Sequence, residues 1–264
     1  MKGRVLIVAG SDSGGGAGIQ ADIKAVTMLG GYAASAITAL TVQNTLGVTG
    51  VHLVPPGFVQ AQMRAVLDDI GADAIKTGML GDAAMVAAVA DVIEALPERP
   101  ALVIDPVMVA KGGARLLDEA AVGAVRERLL PLATLLTPNT PELEALTGRR
   151  VTSENEALDA GRWLVRQGVH AVLVKGGHLE GPEVADWLLT ADEERRFASP
   201  RIATRHTHGT GCTLASAIAC GLAKGLPLAE AVEAGRDYVQ GAIRAAPGFG
   251  RGHGPLGHNY LLTS

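Results

Sequence analysis

Short apolar runs alternate along the chain with longer segments in which apolar residues recur at helical spacing. Residues 4–9, 101–105 and 171–175 are almost continuously apolar, which is typical of strands covered on both faces. Residues 19–29 and 153–167 have the helical pattern, and each segment is followed by glycine. This alternation predicts an α/β fold with a central, mostly parallel sheet and helices on both faces.

The same patterns predict the remaining elements. Further strands are expected at residues 32–40, 51–54, 74–76 and 134–137, and a hairpin at 184–189 and 195–201. Further helices are expected from Pro56 to Ile70, from Asp82 to about Leu96, and at residues 118–130, 141–146, 212–224 and 229–245. No repeat or linker interrupts the series, so a single domain over residues 1–264 is predicted, ending in a poorly patterned tail at 246–264.

Composition narrows the functional classes. Of the 264 residues, 48% are hydrophobic and 19% charged, which allows a large core. The net charge of -4 and the lack of a basic run argue against a nucleic-acid partner. No apolar run approaches the roughly 20 residues of a membrane span. With only two cysteines and a first apolar run too short for a signal peptide, we expect a reduced, cytoplasmic enzyme.

The segment His208-Gly-Thr-Gly-Cys212 directly precedes a predicted helix. Ligands of parallel α/β sheets bind beyond the carboxyl ends of the strands, where this kind of turn lies. Glycines allow a close backbone approach, and the N–H groups and dipole of a helix N-terminus suit a phosphate. The alternative interpretation is a tight turn that only caps the helix.

Four polar residues stand near the ends of apolar runs: Asp105, Asn139, Glu142 and Lys175. Asn139 and Glu142 lie on one side of a turn and can order water around Mg²⁺, or can form a capping box. Asp105 at a buried strand tip suggests a metal or a charged partner. Lys175 can act as a mobile charge on phosphates. Taken singly, the two charged strand ends are also compatible with ordinary solvated residues.

The glycine-rich loop at residues 10–18 is less specific. It lacks the Lys-Ser/Thr of a P-loop, and Ile19 stands where a dinucleotide fingerprint would have its third glycine. We interpret the loop as a close backbone wall of a substrate pocket.

Together these motifs resemble the ribokinase-like superfamily and, within it, the hydroxymethylpyrimidine/phosphomethylpyrimidine kinases. The resemblance runs over roughly residues 5–241, in the order of the family. The segments that carry it are AGSDSGGGAGIQADIK (9–24), TALTVQNT (38–45), IKTGML (75–80), VIDPVMVAKGG (103–113), LLTPNTPELEALTG (135–148), VLVKGGH (172–178) and THGTGCTLASAIA (207–219).

The resemblance implies two successive phosphorylations of 4-amino-5-hydroxymethyl-2-methylpyrimidine that use ATP and Mg²⁺. It also implies a ribokinase-like sheet with a small β edge or lid, and a homodimer. The implied site residues are Gln43, Asp22, Gly10, Met79 and Val107 for the pyrimidine; Lys175, Asn139 and Thr210 for the nucleotide; Asp105, Asn139 and Glu142 for the metal; and Gly209, Gly211, Cys212 and Lys175 for catalysis.

Cys212 occupies the position at which sugar kinases of this superfamily have a catalytic aspartate. A thiol at a helix N-terminus can have a lowered pKa, which would suit a general base. The alternative is that only the backbone N–H groups of Gly209–Cys212 act, as an anion hole. The sequence leaves both open.

Three other functions compete with this interpretation. Some pyridoxal kinases closely resemble the family, and hydroxyethylthiazole kinase shares the GTGC ending; Gln43 and the SDSGGGAG loop favour the pyrimidine. A catalytically silent sensor of the pyrimidine would not need the residues that bind phosphate.

The pair His206 and His208 lacks supporting metal ligands, so a structural or pocket-lining role is expected.

Overall fold

The computed structural model describes residues 3–108, 119–178 and 181–262. Strands and helices alternate over most of this part of the chain, as the sequence predicts. The strands are β1 (Arg4–Ala9), β2 (Tyr32–Ile37), β3 (Ala39–Asn44), β4 (Gly47–Leu53), β5 (Ala74–Thr77), β6 (Ala101–Ile104), β7 (Leu135–Leu136), β8 (Val172–Lys175), β9 (Glu183–Leu189) and β10 (Glu194–Pro200). The helices are α1 (Gly18–Met28), α2 (Pro56–Asp69), α3 (Ala83–Glu94), α4 (Glu119–Ala124), α5 (Thr140–Thr147), α6 (Glu154–Arg166), α7 (Thr210–Ala223) and α8 (Leu228–Arg244).

Eight strands form one sheet in the order β10-β9-β8-β7-β6-β5-β1-β2. The strands from β8 to β2 pair in parallel, and the β9–β10 hairpin adds an antiparallel edge. β3 and β4 form a separate antiparallel pair. The predicted mostly parallel sheet with a small β element is therefore confirmed.

Strand β1 shows why the central strands are mostly apolar. Leu6 and Val8 belong to the core cluster that packs against α2–α6, whereas Val5 and Ile7 belong to the cluster that packs against α1, α7 and α8. All four side chains are at most 1% exposed. Successive residues of a strand face opposite sides, so a strand between two helical layers buries every side chain, and a polar one there needs a buried partner, as Lys76 of β5 has in Asp22.

Two segments differ from the sequence prediction. The strand expected at 32–40 ends at Ile37, and Ala39 begins β3, which leaves the main sheet and pairs with β4 through a bulge at Val42/Gln43. The helix expected at 118–130 is α4 followed by a π-turn at Val125–Leu129 and a 3₁₀ turn at Leu130–Leu132. Its predicted start, Asp118, and motif residues 109–113 lie outside the described residues.

The predicted caps are present, because Asp82 accepts from the Met85 N–H at 2.8 Å and Ser153 forms a capping box with Glu156. The chain after α8 packs back on the fold: buried His258 lies 2.9 Å from Thr213 Oγ1 in the first turn of α7. In the part of the chain that the structure describes, each helix is too short or too polar to traverse a bilayer.

Candidate active site

A cavity of about 1010 Å³ opens at the carboxyl ends of the parallel strands, between the glycine-rich loop, α5 and the start of α7. It is lined by nearly all the residues that the sequence predicts for the site. These are Gly10, Gln43, Met79, Asp105, Val107, Asn139, Glu142, Lys175, Gly209, Thr210, Gly211 and Cys212. The structure thus brings together residues that lie up to 202 positions apart, from Gly10 to Cys212.

The N-terminus of α7 opens into this cavity without a side-chain cap. Its N-cap, Gly209, has φ +83, and a Cβ added there would lie 1.8 Å from the Gly16 carbonyl oxygen. Only glycine fits this conformation and contact, since L side chains disfavour positive φ. The close contact locks the α7 turn against the glycine-rich loop. In the first turn the Thr210 N–H donates to the Thr207 carbonyl at 3.4 Å, and the N–H groups of Gly211 and Cys212 are placed to bind an anion.

Lys175, at the end of β8, lies between two carboxyl groups. Its Nζ is 3.1 Å from Asp105 Oδ1 and 3.8 Å from Glu142 Oε2. Burial alone would lower the pKa of Lys175, but Asp105 and Glu142 outweigh this effect and raise it. Burial alone would raise the pKa of Asp105, but Lys175 and Lys76 lower it. At neutral pH the cavity therefore holds a buried ammonium group against an ionised Asp105.

Glu142 has the opposite behaviour. Its burial raises the pKa to about 7, against the effect of Lys175. The carboxyl is held by a capping box, in which Glu142 Oε2 accepts from the Asn139 N–H at 2.8 Å and Asn139 Oδ1 accepts from the Glu142 N–H at 3.0 Å. The capping alternative is thus realised, and it also fixes Glu142 on the cavity wall.

The capping box bears on the predicted metal ligands. Asn139 Oδ1 is used by the helix cap, whereas Asp105 Oδ2 is buried without a hydrogen-bond partner among the described residues. No cluster of three or more His, Cys, Asp or Glu suited to a metal occurs in the ranges that the structure covers. These donors fit a Mg²⁺ ion held through its waters by Asp105 and Glu142 better than an ion that they coordinate directly.

Cys212 lies in the first turn of α7 and lines the cavity. Burial raises the pKa of its thiol to about 12, although Lys76 opposes the shift. Of the two alternatives that the sequence leaves open, a lowered thiol pKa is therefore contradicted, because desolvation and the nearby carboxylates Asp105 and Asp22 exceed the favourable effects. At neutral pH the thiol is protonated.

Asp22 is the one predicted site residue that does not line the cavity. It is fully buried in α1, where both carboxylate oxygens lie 2.9 Å from Lys76 Nζ and Oδ1 accepts from Ser216 Oγ at 2.7 Å. This geometry does not support the predicted contact between Asp22 and the pyrimidine, because Lys76 lines the cavity wall and Asp22 lies behind it. Asp22 instead holds that lysine: burial alone would lower the pKa of Lys76, and Asp22 raises it.

Asp12, which the sequence left unassigned, and His208 meet Gln43 at the other end of the cavity. His208 Nε2 is 2.9 Å from Asp12 Oδ2 and 3.3 Å from Gln43 Nε2. Asp12 is 2% exposed and His208 9%. The predicted pocket-lining role of His208 agrees with its position. A signal for Asp12 existed in the sequence, since an acidic residue in a glycine-rich loop can accept several backbone N–H bonds.

The cavity wall next to α8 has an apolar part beside the polar residues Arg236 and Gln240. Leu214, Val239 and Ile243 line it, together with Ile202 and Ala203 from the segment that follows β10. Such a surface suits the flat face of an aromatic ring.

A buried ion pair supports this end of the cavity. Arg236 Nη1 lies 2.9 Å from Asp186 Oδ2, and Asp186 Oδ1 accepts from the Gly176 N–H at 2.9 Å. The pair fixes the loop that follows Lys175. Neither residue stands in a recognisable motif, so the sequence alone could not identify them.

Comparisons with known proteins agree with this site. A model of the family described as phosphomethylpyrimidine kinase matches residues 12–257. The chain is 51% identical to a hydroxymethylpyrimidine/phosphomethylpyrimidine kinase of Streptomyces coelicolor, over 98% of its own length and 95% of that protein. It is 54% identical over 97% of its length to the thiamine biosynthesis bifunctional protein ThiED of Geobacter sulfurreducens, of which it spans 52%.

Solved structures share the whole fold. An ADP complex of pyridoxal kinase from Bacillus subtilis has a TM-score of 0.92 at 33% identity and covers 100% of both chains. Phosphomethylpyrimidine kinase from Clostridium difficile 630 has a TM-score of 0.81 at 37% identity, covering 92% of this chain and 100% of that one. These likenesses confirm two predictions: the ribokinase-like fold, and that the enzyme is a phosphotransferase. Since the family model and the relatives span nearly all of the sequence, the chain belongs to the phosphomethylpyrimidine kinase family.

Proposed function

We propose that this chain transfers the terminal phosphoryl group of ATP to the hydroxymethyl group of 4-amino-5-hydroxymethyl-2-methylpyrimidine, and then to the resulting monophosphate. The observation that carries the proposal is that a single cavity joins the Gln43 amide to Lys175 and the N-terminus of α7. An amide suits an aminopyrimidine edge, and the cation and N–H groups suit phosphates. The names of relatives in this family agree with both substrates.

At the pyrimidine end, Gln43 offers one N–H and one oxygen lone pair to the N–H₂ and ring nitrogen of the substrate. Gly10 gives Met79 room to form an apolar wall, since a Cβ at Gly10 would lie 2.6 Å from Met79 Cε. Val107 lines the same cavity. In this arrangement apolar side chains contact the faces of the ring, and the Gln43 amide hydrogen-bonds to its polar edge.

At the phosphate end, the N–H groups of Gly209–Cys212 and the Lys175 ammonium receive the transferred group, and the apolar wall beside α8 receives the adenine. Thr210 and Asn139 line the same cavity, and we assign them to the nucleotide. ADP and AMP-PCP complexes of structurally similar pyridoxal kinases support a nucleotide. Mg²⁺ neutralises phosphate charge when bound, and Asp105 and Glu142 would hold its waters.

The substrate's hydroxyl proton needs an acceptor. Because the Cys212 thiol is protonated at neutral pH, its sulfur can accept that proton only while it passes its own proton on. Asp105 is a weak base, because burial alone would raise its pKa but Lys175 and Lys76 lower it, and it is already assigned to the waters of Mg²⁺. We therefore propose that the proton passes to an oxygen of the transferred phosphoryl group in a loose transition state, and that Cys212 contributes its backbone N–H to the anion hole.

The test is a coupled assay of ATP consumption with three alcohols: the hydroxymethylpyrimidine, pyridoxal and hydroxyethylthiazole. We expect the pyrimidine to have the highest kcat/KM. Gln43→Leu should lower it roughly 10- to 100-fold by leaving polar substrate atoms unpaired, with a smaller effect on pyridoxal. An equal loss for all three alcohols would contradict the role of Gln43. ATP consumption that no alcohol stimulates would indicate a binding protein instead.

Pyridoxal phosphorylation is the second candidate function. It is favoured by one observation, the TM-score of 0.92 with pyridoxal kinase from Bacillus subtilis. A kcat/KM for pyridoxal equal to or above that for the pyrimidine would make it the principal activity.

We further propose that two copies of the chain associate through the outer face of the β3–β4 pair and act in the cytoplasm. Leu40 and Val42 alternate with the cavity-facing positions of β3 and are 48% and 65% exposed. Leu46, between the strands, is 60% exposed. An exposed apolar patch on a two-stranded element outside the main sheet supports a self-complementary interface. The free cysteines agree with a reducing compartment.

A further inference from the structure

Asp12, in the glycine-rich loop after β1, is surrounded by four hydrogen-bond donors. Its Oδ1 accepts from the Gly14 N–H at 2.8 Å, and its Oδ2 accepts from the N–H groups of Gly16 at 3.0 Å and Ala17 at 2.8 Å. The fourth neighbour is His208 Nε2 at 2.9 Å. Burial alone would raise the pKa of Asp12, but His208 and the backbone donors lower it. The carboxylate is ionised, so His208 Nε2 carries the proton between them.

The side-chain amide of Gln43 lies between two groups that distinguish its two ends. Gln43 Nε2 is 3.3 Å from His208 Nε2, and Gln43 Oε1 is 3.3 Å from Thr41 Oγ1. Because His208 Nε2 bears a proton, this orientation sets two N–H donors against each other. The Thr41 hydroxyl gives its one proton to the Ser11 carbonyl at 2.7 Å, so toward Gln43 it can only accept.

A half-turn of the amide removes the contact between two donors. It directs the Gln43 oxygen toward His208 Nε2, whose single proton is then shared between Asp12 Oδ2 and the amide oxygen, and it directs the NH₂ group to the Thr41 oxygen. Amide ends are assigned by such partners. We propose that Asp12 is a positioning residue: by holding the Nε2 proton of His208, it fixes the orientation of the Gln43 amide and so determines which donor–acceptor pattern a substrate must present.

The inference rests on the proposed function and specifies how the substrate is selected. The 4-aminopyrimidine edge presents an N–H₂ donor beside a ring-nitrogen acceptor. Its 4-oxo analogue, in the lactam form, presents a carbonyl acceptor beside a ring N–H donor, which is the reverse pattern. An amide that is fixed matches only one of the two rings. An amide that is free to turn can match both.

The experiment compares kcat/KM for 4-amino-5-hydroxymethyl-2-methylpyrimidine and for its 4-oxo analogue. The variants are Asp12→Asn, which removes the negative charge, and His208→Phe, which removes the Nε2 proton but keeps the backbone bonds of Asp12. The control is Asp73→Asn, at a carboxylate that pairs with Arg4 away from the cavity. We expect the amino-to-oxo ratio to fall at least about tenfold in both variants and to stay unchanged in the control.

The ratio separates positioning from stability. If both alcohols lose activity equally and the ratio is unchanged, Asp12 only holds the loop and the inference is overturned. If Asp12→Asn does not fold, His208→Phe decides by the same ratio. A wild type that phosphorylates neither alcohol overturns the proposed function and this inference together, whereas a selective wild type with equally selective variants overturns the inference alone.

Discussion

At the scale of single residues, the phosphate end of the cavity is a set of charges that depend on one another. Lys175 is the cation next to Asp105 and Glu142, and Lys76 is the cation next to Asp22. Removing one member of such a buried group leaves an uncompensated charge, which costs more than the lost contact. Activity and stability therefore need to be measured together at these positions.

Lys175→Met keeps most of the stem but removes the ammonium. We expect kcat to fall roughly 100-fold or more and the KM for ATP to change less, because the cation acts most strongly on charge in the transition state. The melting temperature should also fall, since Asp105 loses its partner. Steady-state kinetics and thermal unfolding of Lys175→Met and Lys175→Arg test this; a defect confined to the KM for ATP would make Lys175 a binding residue only.

Glu142→Gln tests the carboxyl whose pKa is about 7. If the ionised form orders the waters of Mg²⁺, wild-type kcat/KM rises as the pH increases through 7. The variant should lack this step and need more Mg²⁺ for half-maximal activity. An identical pH profile in both proteins would leave Glu142 with the capping role alone.

The same group makes a linked prediction for stability. The folded state holds the Glu142 proton up to about pH 7, whereas the unfolded carboxyl releases it near the ordinary glutamate pKa of 4.5. The folded state therefore binds more protons in this window, and the free energy of unfolding decreases as the pH rises through it. Denaturant unfolding between pH 4 and 8 should show that the free energy of unfolding depends less steeply on pH in Glu142→Gln than in the wild type.

Cys212 has a thiol with a pKa of about 12, which predicts slow alkylation near neutral pH. In a Cys220→Ala background, where Cys212 is the remaining cysteine, the rate with iodoacetamide should rise about tenfold per pH unit from 7 to 10 without a plateau. A plateau near pH 7 would restore the thiolate hypothesis. ATP and the pyrimidine alcohol should both slow the reaction, because Cys212 lines their cavity.

At the scale of elements, the sequence predicts most accurately where one local rule acts. β1 has the expected bounds because Arg4 is followed by five consecutive apolar residues, Val5–Ala9, and α6 begins after Ser153 because of the capping box. The β3–β4 pair was only partly predicted. Val42 and Gln43 continue the pattern of a strand, but the break at Thr38 that directs β3 out of the main sheet depends on tertiary contacts, among them the 2.6 Å bond from Thr38 Oγ1 to the Met79 carbonyl.

The site was predicted to the extent that its residues stand in motifs at strand ends. Lys175 and Glu142 could be found in this way. The pairing of the buried Lys76 with Asp22 could not. The place of Asp22 behind Lys76 depends on how α1 packs on β5, and the pKa of Cys212 depends on burial. Neither the position of Asp22 nor the pKa of Cys212 can be inferred from a short stretch of sequence.

The two ends of α7 offer a matched pair of glycines. Gly209 and Gly225 have φ of +83 and +85, but only Gly209 has a close neighbour, the Gly16 carbonyl. Alanine at either position costs ~1–2 kcal/mol of backbone strain. Gly209→Ala should in addition separate the two loops and abolish most activity, whereas Gly225→Ala should lower the melting temperature and keep kcat. Equal kcat in both variants would contradict the proposed contact between loops.

At the scale of the whole molecule, the proposed homodimer can be tested on the outer face of β3. Val42→Asp places a charge in the exposed apolar patch and should yield monomers in sedimentation experiments at micromolar protein. The control is Leu262→Asp, at an apolar residue that is 74% exposed on the C-terminal tail. A wild type that sediments as a monomer would contradict the proposed interface.

The position of Gln43 next to Val42 on β3 has a consequence for how rates should scale with the amount of protein. One face of this strand would contact the pyrimidine and the other a second copy, so binding of substrate and association would be thermodynamically linked. Specific activity would then fall on dilution below the dissociation constant of the pair, and saturating pyrimidine would lower that constant. Assays at a single enzyme concentration would not detect this dependence of specific activity on the concentration of the protein.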